Sequence, residues 1–85
     1  MSEIDHDADT PVYQQIAAII AARIESGELQ PRRPIPSEAQ MVQEWGVARD
    51  TARAAVAYLR EQGLVYTVPR RGTYVSPPSE DAGDS

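Results

Sequence analysis

With 85 residues and no cysteine, the chain is one small domain, without room for an enclosed active site and without disulfide, thiolate-metal or cysteine chemistry. No apolar run approaches the roughly 18 residues of a membrane span. The acidic start Met1-Ser2-Glu3-Ile4-Asp5 is unlike a signal peptide, so no membrane partner and a cytoplasmic location are expected.

The net charge of −5 argues against a polyanionic partner only until it is mapped. Glu3, Asp5, Asp7, Asp9, Glu80, Asp81 and Asp84 lie at the two ends, whereas residues 10–79 carry all eight arginines against six carboxylates, a balance of +2. Phosphate binding responds to local charge, so a faintly basic body with acidic tails still suits DNA. Seven tail carboxylates are also expected to compete with phosphates for the arginines and so to suppress non-specific binding.

In chain order, residues 1–9 are polar and aperiodic and read as a structureless acidic tail, in which the lone His6 suits neither metal nor catalysis. Thr10 can cap a first helix with Pro11 at its first position. Val12, Ile16, Ile19, Ile20 and Ile24 form its apolar stripe, and Gly27 stops it. Pro31, Pro34 and Pro36 keep residues 28–36 extended. Arg32 and Arg33 in this connector precede a helix amino end that can itself hold phosphate, and whether they take part is left open.

Ser37 and Gln40 form a capping-box pair that starts a second helix. Met41, Val42 and Trp45 face inward along it, with a self-association surface as the other reading of Trp45. Gly46 permits a sharp turn. A third helix over residues 49–62 turns Ala52, Ala55, Val56 and Leu59 to the core and ends at Gly63. Residues 64–68 and 73–76 are short and β-branched or tyrosine-rich, and the turn Pro69-Arg70-Arg71-Gly72 joins them as a hairpin. Residues 77–85 form a second acidic tail. The body, residues 10–76, reads as a small α+β winged helix-turn-helix with three helices and a two-stranded β-hairpin wing.

The third helix carries the chemistry. At about 100° per residue its core stripe leaves Arg49, Asp50 and Arg53 outside. Arg49 and Arg53 are neighbours on one face, about 6 Å apart along the axis, and arginine is the commonest reader of guanine. Asp50 suits the helix dipole, with a cytosine amino group as a second possible partner. Arg60 shares their stripe but lies about 16 Å from Arg49, where solvation or an ion pair is expected. Arg70 and Arg71 crowd two cations onto one turn, which phosphates or a narrow minor groove would stabilise. No nucleophile–base pair, metal constellation or phosphate-cradling glycine loop is present, so neither an enzyme nor a cofactor is expected.

Several segments together resemble the DNA-binding domain of the GntR family of bacterial transcription regulators. They are Pro11-Val12-Tyr13-Gln14-Gln15-Ile16, Ile24 to Pro31, Ile35-Pro36-Ser37-Glu38, Gly46 to Arg53, Leu59, Gly63-Leu64-Val65 and Arg71-Gly72-Thr73-Tyr74-Val75, within about residues 11–76. The resemblance implies that Arg49 and Arg53 read bases, that Thr51 and Ser37 hold phosphates, and that Arg70, Arg71 and Gly72 enter the minor groove.

Four departures stand out. Ala39 replaces an arginine usual after the proline-serine-glutamate, Ala48 replaces the usual serine or threonine cap, and Arg70 replaces a wing-tip glycine. The effector-binding, dimerising domain usual in the family has no counterpart here, so ligand sensing is not carried over. The expectation is a sequence-specific regulator of double-stranded DNA, a repressor rather than an activator, bound to the bacterial nucleoid. It would act as a homodimer on an inverted-repeat operator, formed in solution or only on the DNA. The alternative is a winged-helix protein-interaction module with acidic docking tails, which has no need of arginines at 49, 53, 70 and 71.

Overall fold

The computed structural model describes residues 4, 5 and 9–77. Helix α1 (Val12–Glu25) is followed by α2 (Glu38–Trp45), α3 (Arg49–Glu61), β1 (Val65–Val68) and β2 (Gly72–Val75). This is a winged helix-turn-helix. Its two strands run antiparallel, with Val65 opposite Val75 and Val68 opposite Gly72.

Helix α1 packs its expected stripe inward. Ile16, Ala17 and Ile20 are buried, and Val12, Ile19 and Ile24 pack partly buried against the core. Its start differs from expectation. Pro11 occupies the cap position and no side chain caps the helix. The Pro11 carbonyl accepts from the amides of Gln14 and Gln15 at 3.0 and 3.2 Å. Thr10 offers its carbonyl to the Gln15 side chain at 2.8 Å instead.

Part of the expected N-terminal tail is fixed. Ile4 joins the buried cluster, and Asp5 exchanges two hydrogen bonds of 2.8 Å with the Gln15 amide group. The apolar contact and the doubly bonded amide together anchor a segment whose composition alone argued for disorder. His6 and the carboxylates Glu3, Asp7, Glu80, Asp81 and Asp84 lie outside the described residues, as does the C-terminal tail beyond Pro77.

Helix α2 opens on the expected capping box. The Ser37 hydroxyl accepts from the Gln40 amide at 3.1 Å, and the Ser37 amide donates to the Gln40 side chain at 2.8 Å. Gly46 closes the helix in the left-handed region at φ 65°, a conformation costly for residues with a Cβ. Met41 and Trp45 are buried. Trp45, only 6% exposed, is therefore a core residue and offers no self-association surface. Arg23 of α1 lies 5.8 Å from the Trp45 ring centroid and 3.5 Å from the Glu44 carboxylate, which ties α1 to α2.

Ala52, Ala55, Val56 and Leu59 bury one side of α3. The helix ends one residue before the expected Gln62, which takes the cap position. The connector is more ordered than an extended link. The Arg32 amide donates to Val75, the Val75 amide to Arg33 and the Ile35 amide to Thr73, at 2.8, 2.9 and 3.0 Å. Pro34 forms a β-bridge with Tyr74. β2 thus has β1 on one side and the connector on the other, and Pro34 is tolerated because that side is an edge.

Ser37→Ala removes the side-chain half of the box and should lower unfolding free energy by about 1 kcal/mol. Urea unfolding with an unchanged slope is the check.

Candidate nucleic-acid interface

The second pairing of β2 brings the tip end of the wing beside the amino end of α2. An open groove of about 750 Å³ results, with Ser37, Glu38 and Gln40 on one side, Arg49 and Val56 on α3, and Arg71, Gly72 and Thr73 on the wing. Three expected elements therefore converge here: the helix-2 cap, the start of helix 3 and the wing. Among the described residues Glu38 is the one carboxylate lining the groove. It sits in the first turn of α2, where a negative charge favours the helix dipole.

The other candidates lie around this groove rather than in it. Arg53 sits one turn beyond Arg49 on the same side of α3, with its side chain 65% exposed. It lies 3.8 Å from the 94%-exposed Asp50 carboxylate, an exposed ion pair of little energetic weight that a phosphate can replace. Thr51 is half-buried and lies about 160° around the helix from Arg49, so it serves a different flank. Arg70 is exposed at the wing tip, in left-handed backbone with φ 69°.

The fold divides the eight arginines into two groups. Arg23, Arg53 and Arg60 have protein partners. Among the described residues the guanidinium groups of Arg32, Arg33, Arg49, Arg70 and Arg71 make no ion pair or hydrogen bond. Arg60 is exposed, as expected of a solvated residue, but it is also held by the protein. It donates to the Thr67 hydroxyl at 3.0 Å, and Thr67 lies 3.4 Å from the Thr73 hydroxyl across the hairpin. This chain of contacts fixes the wing to α3. Thr67 and Thr73 are register partners, so the hairpin alignment was the signal that could have revealed it.

These features leave a locally cationic surface around the groove. Among the described residues no group of three or more His, Cys, Asp or Glu could hold a metal ion, and no helix is long and apolar enough to cross a membrane.

A winged helix-turn-helix that leaves Arg49, at the start of its third helix, and the wing arginines Arg70 and Arg71 unpaired among the described residues is the build of a DNA-binding regulator domain. Residues 12–75 match the family model for bacterial regulatory proteins of the gntR family, and the chain belongs to that family. It is similar to the HTH-type transcriptional repressor NagR of Bacillus subtilis (strain 168), at 40% identity over 75 residues, covering 88% of this chain and 31% of that protein. It is also similar to the mannosyl-D-glycerate transport/metabolism system repressor MngR of Escherichia coli (strain K12), at 42% identity over 65 residues, 76% of this chain and 27% of that protein. The chain thus spans about a third of these curated relatives or less. Among solved structures, AraR(DBD) in complex with operator ORX1 aligns with a TM-score of 0.77 at 34% identity, over 89% of this chain and 90% of the other. YtrA from Sulfolobus acidocaldarius aligns at 0.80 and 32% identity, over 95% and 86%.

Proposed function

We propose that this domain binds double-stranded DNA sequence-specifically and represses transcription, with α3 in the major groove and the arginine-tipped wing on the minor groove or backbone. The observation that carries the reading is the convergence of unpaired Arg49 and Arg71 on one groove beside the capped end of α2. Unpaired guanidinium groups facing one open groove favour binding of an anion of matching length, and a duplex supplies one. In this reading Arg49 and Arg53 contact base edges. Ser37 and Thr51 approach phosphates, Asp50 steadies the start of α3, and Arg70, Arg71 and Gly72 take the wing contacts.

Two comparisons support it: AraR(DBD) was solved with an operator, and the relatives named above are called repressors. The site of action is then the bacterial cytoplasm, on the nucleoid.

Single modules of this size bury only about 600–1,000 Å² on DNA. Firm operator binding therefore calls for two copies on two-fold-related half-sites, as a homodimer that forms in solution or on the duplex.

Duplexes selected from a random pool provide the probe. Arg49→Ala and Arg53→Ala should each weaken binding to the selected sequence by about 1–3 kcal/mol and relax base preference at one position, with the melting temperature kept. Parent-like affinity in both variants rejects the reading. On a selected inverted repeat, native mass measurement should give two domains per duplex; one domain per complete palindrome rejects the dimer.

A further inference from the structure

The wing-tip turn has a twin. In Val68-Pro69-Arg70-Arg71 the Arg71 amide donates to the Val68 carbonyl at 3.0 Å, and in Gln30-Pro31-Arg32-Arg33 the Arg33 amide donates to the Gln30 carbonyl at 3.1 Å. Proline cannot adopt positive φ, so a four-residue turn with proline second and positive φ third is of type II. That third position normally calls for glycine. Here it is Arg70 at φ 69° and Arg32 at φ 68°, the two non-glycine residues with positive φ among the described residues. The same strain therefore recurs at two places, each time under an arginine followed by a second arginine.

The twin turns lie at opposite ends of β2. Arg71 precedes its first residue, while Arg32 and Arg33 bond to its last, Val75. Four residues of strand separate them by about 13 Å. Leu29 and Pro34 line both the groove of Arg49 and Arg71 and a second hollow that holds Arg33, Gln30 and Glu28. The two hollows are thus neighbours that share Leu29 and Pro34 as a common wall. Glu28 is the carboxylate in the second hollow, and it makes no ion pair with either arginine among the described residues.

We propose that the Gln30–Arg33 turn is a second phosphate-binding turn, which holds the DNA backbone outside the wing contact. The inference rests on the DNA-binding reading above. Strain at a glycine-type position persists where the side chain is used, and the unpaired cations of both turns gain from the same kind of anion. At 3.4 Å per base pair, 13 Å reaches about four steps beyond the wing. The second turn is therefore expected to add affinity without adding sequence preference.

Binding of a selected duplex over a salt series tests this. Arg33→Gln should lower affinity several-fold at low salt and reduce the salt slope by about one, while Arg33→Lys keeps the slope. Arg32→Gly should bind like Arg33→Gln yet melt no lower than the parent, because glycine adopts the left-handed conformation without strain. Trimming about four base pairs from the wing side should bring the parent down to Arg33→Gln. Parent-like affinity and slope in Arg33→Gln and Arg32→Gly overturn the proposal. If Arg49→Ala abolishes selective binding in the same assay, that result sinks this inference alone; if Arg49→Ala also binds like the parent, the DNA-binding reading itself fails.

Discussion

The one-sided burial of α3 is the constraint on which the rest of the molecule depends. Ala52 and Ala55 are fully buried, and their small side chains let the helix sit close to its supports. Val56 and Leu59 complete the same stripe. A helix with one apolar stripe has one favourable rotation about its axis, since any other exposes that stripe to water. That rotation turns Arg49 and Arg53 outward. Their direction is therefore a consequence of the alanines behind them rather than of any partner of their own.

β2 supplies the second constraint. Because it pairs with β1 on one side and the connector on the other, one strand fixes both the wing and the approach to α2. The hydroxyl contact from Arg60 to Thr67, continued to Thr73, then fastens the wing to α3. Electrostatics follows from this geometry. Arg23 acts in packing and Arg60 in wing placement, Arg53 keeps only an exposed ion pair with Asp50, and the arginines without partners among the described residues are at the start of α3, at the wing tip and in the connector turn. A net negative chain thus presents a locally cationic furrow, and it is the local charge that a phosphate meets.

Much of this was legible in the residues. The Ser37–Gln40 spacing located the start of α2, and the core stripe of α3 was read residue by residue. Turn chemistry placed the hairpin within a residue or two. What escaped had long-range or unpatterned causes. Three prolines disguise the connector's pairing with β2, because proline argues against a strand except at an edge. Ile4 is a single apolar residue in an acidic stretch, with no periodicity to mark it as buried. Thr10 was a plausible cap, but the Pro11 carbonyl began the helix without it. Arg60 looked like a solvated residue because its partner lies across the chain fold, seven residues away on the wing. At the site, the sequence supplied the arginines and their helix face. The structure added the groove that Arg49 shares with Arg71 and left Arg53 and Thr51 outside it.

The central claim is that Arg49 and Arg71 belong to one anion-binding surface while Arg23 belongs to the packing. NMR of the arginine Nε–H groups during titration with a selected duplex reads this directly. The account predicts large shifts and slowed hydrogen exchange at Arg49 and Arg71, with Arg23 unchanged over Trp45. Saturable binding that leaves Arg49 and Arg71 unmoved would contradict it.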